Sequence, residues 1–543
     1  MFPVRQGTTL LDAPPKRRKL YSSTHGFFDT TSQRPKMSPL LIEELDETPT
    51  TPNSDPAFLP TITLTPVEAT LCQLLLDVAA YIDSQPQVQT PQTDLSKNSN
   101  GTDSALPLPS ALASEPLTLR FTGGWVRDKL LGVGSHDIDV AINKMTGYTF
   151  GLLMKQYLEL PGHAEKYGLQ AGGLGGLHKI EANPEKSKHL ETVTTKLLGL
   201  DIDLVNLRRE TYTQDSRTPQ MEFGTPEEDA LRRDATVNAM FYNLTTSSIE
   251  DFTGLGLRDL QAKILRTPLE PFRTFEDDPL RVMRLIRFAS RLGWEIDPAA
   301  NDAMRDERIQ AALRKKITRE RIGTEMEKAL RGPDPYEALR LVDELGLYET
   351  VFCDPTSTSS SQGVEVTFEP ELETWHPTLS FLRDLPNTNH DLHTLLLRSP
   401  EEEFQSWNLA ALIPYCNAPA PMSLEPGRKS PPHLAAMVAR EGVKATNKIC
   451  EVVAAAVKNA EEVEAVVDRS YERQRRPSKG PVVNEDPGAR DVLGLALRRW
   501  GGTWRSLVLW ALLGEVAEDP SQSAGMSPFS LEPFPVLKLC DRT

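Results

Sequence analysis

Apolar residues recur through residues 70–82, TLCQLLLDVAAYI, at the three-and-four spacing of an amphipathic helix. The rhythm changes at Leu117. LTLRFT (117–122) reads as a buried strand, WVRDKLLG (125–132) as a helix, and DIDVAI (137–142) and LDIDLVNLR (200–208) as strands. From Pro279 to about Leu347 the pattern is helical without strand-like runs, and further helices are expected over 374–412, 432–474 and 489–517. The expected fold class is α+β: an amino-terminal head with a mixed sheet, followed by all-α parts.

Polar stretches divide these elements. Residues 1–66 are rich in Pro, Ser and Thr and are expected to be disordered, and a Pro-rich polar insertion covers about 84–116. A Ser/Thr stretch, CDPTSTSSSQGVEV, and a Pro-rich link, NAPAPMSLEPGRKSPP, interrupt the helical half. At 543 residues the chain should hold three or four domains, because single cores rarely exceed about 250–300 residues. Cys72, Cys353, Cys416, Cys450 and Cys540 follow no metal-binding spacing and form no even disulfide set, which fits a reducing compartment. No apolar run approaches the roughly 20 residues of a membrane span, and the amino terminus has no secretory apolar region; a soluble, intracellular protein is expected.

A net charge of −16 argues against a surface that coats nucleic acid throughout, yet leaves room for a basic groove. Residues 311–321 and 469–479 each hold five basic groups against one acidic. Each is either an RNA footprint or a solvated helix face. Near the amino terminus PPKRRKL (14–20) is a basic cluster of the nuclear-import type, and the first 36 residues, with seven basic groups against two acidic, could serve as a mitochondrial presequence, leaving Met37 as a second start beside Met1.

The stretch with the most chemistry is TGGWVRDKLLGVGSHDIDVAI (122–142). Successive side chains of a strand point to opposite faces, so Asp137 and Asp139 share one face while Ile138 and Val140 enter the core. Like charges fixed so close call for a cation, and Mg²⁺ takes such oxygen ligands while completing its shell with water and substrate phosphate. Gly123 and Gly124, between a strand and a helix, leave backbone N–H groups open to a polyphosphate. Together these features predict a metal-triphosphate site.

Here the chain resembles the nucleotidyltransferase superfamily that includes DNA polymerase β, with its Gly-Gly turn and Asp-x-Asp strand. Within it the chain is similar to the class II tRNA nucleotidyltransferases, which add CCA to tRNA 3′ ends, and to their bacterial poly(A) polymerase relatives. LRRDATVNAM (231–240) resembles the family's ribose motif, with Arg232, Arg233, Asp234 and Asn238 as its polar set; DFTGLGLRDL (251–260) resembles the hinge motif, with Gly254-Leu255-Gly256 in place of the usual Gly-Gly. EDDPLRVMRLIRFASRLGW (276–294) resembles the base-recognition motif, and ERIGTEMEKAL (320–330) the helix-stabilising one.

The resemblance implies a polymerase-β-like head at 67–270, a helical neck at 271–347, a body at 348–420 and a tRNA-binding tail at 421–543. It further implies a monomeric, Mg²⁺-dependent enzyme that adds CCA from CTP and ATP to the tRNA acceptor end without a template, by two-metal phosphoryl transfer, in nucleus, cytoplasm and mitochondrion. A poly(A) polymerase of the same family and a non-catalytic tRNA-binding factor are the alternatives. Asp137 and Asp139 would hold the metals, Gly123, Gly124 and Arg127 the triphosphate, and Asp278, Arg281 and Arg284 the base.

Several residues keep two readings. Arg127 either contacts triphosphate or pairs with Asp128. Asp203 is either a third active-site carboxylate or an ordinary surface one. Asp215 and Arg217 either belong to the family's flexible loop or simply form a turn. His390-Asp391 resembles a phosphohydrolase dyad, but the further ligands that chemistry needs are missing from the sequence. Asp278 and Arg281, at i and i+3, are expected at the start of a helix, where an acceptor and a donor would meet the matching edge of cytosine or adenine.

Overall fold

In a computed structural model the structure describes residues 60–85, 108, 114–135, 137–170, 177–180, 192–213, 216–354, 368–419, 432–475 and 490–518. The basic cluster at 14–20, Met37, Asp215 and Cys540 lie outside them, as does nearly all of the expected amino-terminal disorder and much of the insertion.

The first helix, α1 (Pro66–Ser84), starts four residues before the apolar pattern does, because Thr65 and Glu68 form a reciprocal capping box behind Pro66. Its buried face includes Leu71, Leu74, Leu75, Val78 and Ile82. Three acidic residues fasten it to the head. Glu68 accepts from Trp125 Nε1 (3.1 Å) and Lys129 Nζ (2.6 Å), Asp77 from Lys166 Nζ (2.6 Å), and Asp83 from Lys144 Nζ (2.7 Å) and the Leu117 N–H (2.8 Å).

The head is a seven-stranded mixed sheet. Its strands are β1 (Leu119–Thr122), β2 (Asp137–Ile142), β3 (His178–Ile180), β4 (Thr192–Leu197), β5 (Leu200–Asn206), β8 (Phe241–Asn243) and β9 (Ser248–Glu250), in the order β3-β4-β5-β2-β1-β8-β9. Only β2 and β5 run parallel; the other neighbours are antiparallel. Helix α2 (Gly124–Leu130) follows β1 directly, and α3 (Gly147–Leu158) crosses β5 so closely that a Cβ on Gly147 would lie 2.1 Å from the Leu204 carbonyl oxygen. Phe121, Trp125, Ile138, Val140, Phe150 and Leu204 lie in the core shared by sheet, α1 and α3. A hairpin of β6 (Arg208–Thr213) and β7 (Ser216–Phe223) stands apart from this sheet.

Short α4 (Pro226–Leu231) and α5 (Gly256–Ala262) lead to α6 (Pro271–Asp277) and the amphipathic α7 (Leu280–Leu292). Then come α8 (Pro298–Arg305), α9 (Glu307–Lys316), α10 (Arg319–Leu330), α11 (Pro335–Glu344) and α12 (Tyr348–Val351). The region expected as helix over 374–412 is three helices, α13 (Trp375–Thr388), α14 (His390–Leu396) and α15 (Pro400–Leu412), because Asn389 and Ser399 each accept a backbone N–H as helix caps. Beyond them lie α16 (Leu434–Met437), α17 (Asn447–Arg475), α18 (Arg490–Trp500) and α19 (Trp504–Glu518). One apolar core runs through these helices, from Phe275 and Ile286 through Trp375 to Leu507 and Leu513.

Three of the five basic groups in the run 311–321 donate hydrogen bonds within the fold, while Arg314, one of them, and Lys315 remain exposed. Arg314 donates to Thr350 Oγ1 (2.6 Å), Lys316 to the Glu276 carbonyl (2.9 Å), and Arg319 to the carbonyls of Gly442 (2.5 Å), Thr350 (2.8 Å) and Val351.

Candidate active site

The parallel register of β2 and β5 sets Asp139 opposite Asp203 and Asp137 opposite Asp201, so the carboxylates of two strands share one face of the sheet. Asp137 is exposed at the start of β2, and Asp139 is half-buried behind it. Burial pushes the Asp139 carboxyl up to about 6, Asp203 and Asp137 push the same way, and Arg233 opposes them. The Asp137 carboxyl is also raised, by burial and then by Asp203 and Asp201. The topology thus brings Asp203 to the pair.

Gly123, which ends the turn from β1, has φ +73°; a Cβ there would sit 3.2 Å from Asp139 Oδ2 and 3.3 Å from Arg233 Nη1. Both the backbone conformation and the narrow gap select glycine. Among the described residues no group of three or more His, Cys, Asp or Glu side chains could cage a metal alone. The pair suits a different kind of site. Mg²⁺ is held by one or two carboxylates plus water and substrate phosphate, and mutually repelling carboxylates with a raised proton affinity are a donor set that a divalent ion relieves.

Beside this face lies a lattice of arginines and carboxylates. Asp229, which the sequence reading did not single out, accepts from Arg232 Nε (3.0 Å), Arg233 Nε (3.1 Å) and Arg233 Nη2 (2.9 Å). Burial would raise its carboxyl, but Arg232, Arg233 and Arg208 outweigh that and hold it near about 2. Arg233 also donates Nη1 to the Asn238 carbonyl (3.0 Å), and Arg232 donates to Glu210 Oε1 (3.1 Å). These bonds occupy much of the ribose-motif arginines. The signal for Asp229 was the capping box of Thr225 and Glu228 just before it, which fixes α4 so that Asp229 faces inward.

Arg127 is buried. It donates Nε (2.8 Å) and Nη2 (2.7 Å) to Asp128 Oδ1, and Nη1 to Asn238 Oδ1 (2.5 Å). Of its two readings, the structure contains the local pair. Asn238 Nδ2 donates to Asp234 Oδ1 (3.3 Å), and Asp234 Oδ2 pairs with Arg284 Nη2 (2.6 Å). Burial works against the Asp234 anion, yet Arg284, with Asn238 and Arg281, holds its carboxyl near about 2. Arg291 on α7 lies 3.7 Å from Asp128 Oδ2. A polar circuit therefore leaves α7 at Arg284, passes through Asp234, Asn238, Arg127 and Asp128, and returns to α7 at Arg291.

The geometry expected of Asp278 and Arg281 is corrected here. Asp278 is not in the helix: it is extended (φ −134°, ψ 93°), its Oδ1 accepts the Leu280 N–H (3.2 Å), and its Oδ2 lies 3.9 Å from Arg321 Nη2. Pro279 is the cause, since the residue before a proline is steered away from helical dihedrals. Arg281 is buried and donates to the carbonyls of Thr274 (3.3 Å) and Arg232 (2.7 Å). The two side chains thus have separate partners in this structure. Arg217 lies in β7, a strand where a turn was one of the readings. In the hinge motif, Asp251 accepts from the N–H groups of Thr253 (3.2 Å) and Leu257 (3.1 Å), and a Cβ on Gly256 would meet Met240 Cγ at 2.8 Å.

Residues 119–266 match the family described as "Poly A polymerase head domain", and residues 293–357 match "Probable RNA and SrmB- binding site of polymerase A". A nucleotidyltransferase, lcsQ, of Purpureocillium lilacinum is 42% identical over 478 residues, 84% of this chain and 72% of the relative. The chain belongs to the tRNA nucleotidyltransferase/poly(A) polymerase family. A family member from Saccharomyces cerevisiae, named as a mitochondrial CCA tRNA nucleotidyltransferase, is 52% identical over 293 residues, 54% of this chain and 48% of its own length, so the chain spans about half of that relative. In Schizosaccharomyces pombe the tRNA nucleotidyltransferase cca1 is 48% identical over 236 residues, 43% of this chain and 45% of its own. A solved tRNA-processing enzyme shares the fold with a TM-score of 0.50 at 16% identity, over 84% of this chain and 91% of that one.

Proposed function

We propose that the chain adds C, C and A to the 3′ end of tRNA, taking CTP and ATP and using no nucleic-acid template. The observation that carries this reading is the set of carboxylates Asp137, Asp139 and Asp203 on one sheet face, with Asp139 and Arg233 both against Gly123, in a chain of this family. Asp137 and Asp139 would hold Mg²⁺, with Asp203 in the same field. An ion held there would supply Lewis-acid chemistry, lowering the pKa of the RNA 3′-hydroxyl and offsetting triphosphate charge; the 3′-oxygen bonds the α-phosphorus as the bond to pyrophosphate breaks.

The protein's own part is positioning. Gly123 and Gly124 add no side chain to the crowded turn where phosphate would approach, and Arg233, held by Asp229, keeps a fixed positive charge next to them. Asp234, Asn238 and the arginines around them line the ribose side. Asp278 keeps an acceptor oxygen at the head of α7, while Arg281 commits two of its five N–H donors to the carbonyls of Thr274 and Arg232. Asp215 and Arg217 would belong to a loop that assists the change from C to A. Head, neck, body and tail are proposed with the boundaries given above.

The test is incorporation by the full chain on tRNA that lacks CCA. CTP and ATP together should yield one CCA, whereas long tails from ATP alone would establish a poly(A) polymerase, and no incorporation a binding factor. Asp139→Ala should lower turnover on the order of a thousandfold or more while tRNA affinity persists. Near-normal turnover of that variant overturns the metal assignment. For address, we propose mitochondrial, nuclear and cytoplasmic pools, the first supported by the yeast relative's name and the second by the cluster at 14–20.

A further inference from the structure

Asn238 sits between Arg127, which the resemblance to the family places on the triphosphate, and Asp234, which the proposed function places on the ribose side. All three are buried, at 7%, 3% and 8% exposure, so none relies on bulk water. The orientation of the Asn238 amide follows from chemistry alone. A guanidinium can only donate and an ionised carboxylate can only accept, so Oδ1 has to face Arg127 and Nδ2 has to face Asp234.

No other neutral side chain of this length offers an acceptor and a donor fixed on one rigid plane. The amide satisfies both charged groups while keeping them from closing into a direct ion pair. A direct Arg127–Asp234 pair would leave fewer of their donors and acceptors for a substrate. Arg233 holds the Asn238 backbone carbonyl, and Asp128 and Arg284 grip the outer sides of Arg127 and Asp234, so the amide closes an otherwise anchored chain between the two groups.

We infer that Asn238 is a positioning residue that couples triphosphate binding to ribose recognition, by holding Arg127 and Asp234 apart in fixed register. The inference rests on the nucleotide-addition reading, and the experiment separates the two. Wild-type full chain is assayed first on tRNA ending in CC, with ATP and with 2′-deoxy-ATP. Absence of addition by the wild type would refute the reading itself.

Given wild-type activity, Asn238→Asp keeps the acceptor toward Arg127 and sets two carboxylates against each other at Asp234. It should raise the KM for ATP and narrow the ATP/deoxy-ATP preference, each by roughly tenfold to a hundredfold, the scale of one charged hydrogen bond. The swapped double variant Asn238→Asp with Asp234→Asn restores donor against acceptor throughout. It should recover most of the KM but not the ribose preference, since the carboxylate at 234 is gone. A purely structural role predicts a lower Tm with KM and preference unchanged, and that result overturns the coupling. If the single variant does not fold, the double variant decides: failure to regain KM overturns the inference as well.

Discussion

Two groups of carboxylates lie side by side in the head, and the arginines have gone to one of them. Asp229 and Asp234 are buried, yet each stays ionised to unusually low pH because Arg232, Arg233 and Arg208 surround the first and Arg284 grips the second. Asp139, on the nearby sheet face, is pushed the other way, to about 6, by burial and by its acidic neighbours. The folded chain completes the lattice from its own side chains and leaves that face short of positive charge. Burial alone does not tell these carboxylates apart; the identity of the neighbours does.

The comparison breaks most visibly at Asp229. Replacement by Ala strands three arginines around a buried hole, and chemical denaturation at pH 7 should show a loss of about 3–5 kcal/mol. The stabilisation that Asp229 supplies is complete above its unfolded value of 3.8 and disappears as the pH falls toward about 2. Asp139→Asn should act in the opposite direction. In chelator, a carboxyl whose folded value exceeds its unfolded one costs stability increasingly from pH 3.8 to about 6 and by a constant amount above that, so the amide should stabilise the metal-free protein by up to about 3 kcal/mol at pH 7.5 and by little at pH 4. Added Mg²⁺ should then raise the wild-type Tm and leave the variant's unchanged. Equal pH profiles for the two proteins would show that this face carries no strain. The smallest effect belongs to Arg340, which pairs with Glu337 and Glu344 at 2.6 Å on the surface of α11. Its replacement by Ala should cost less than about 1 kcal/mol, because similar distances in water contribute little.

The sequence made the carboxylate pair legible because a strand's two-residue period places Asp137 and Asp139 on one face whatever their partners. Asp203 stayed ambiguous for the converse reason: its position depends on which strand lies beside β2 and in which register. The base-recognition pair was misplaced although the signal was present, since Pro279 already restricts Asp278 and moves the helix start past it. Asp229 had a local signal that the reading passed over, since Arg232 and Arg233 stand three and four residues beyond it, just past the end of the same short helix. The Asp128–Arg291 contact was not legible, because it joins residues distant in the chain through the packing of α2 and α7.

The fastening of α1 has a consequence for how the chain can be cut and joined. Its carboxylates at 68, 77 and 83 meet lysines at 129, 166 and 144, and its apolar face is buried against the head, so its hold on the sheet is made by non-covalent contacts across the gap in sequence that the polar insertion fills. The helix behaves as a docked peptide that happens to be tethered. A cut between residues 85 and 114, or a change in the length of that stretch, should therefore leave the helix docked on Trp125 and Lys129, which limited proteolysis followed by native electrophoresis would check.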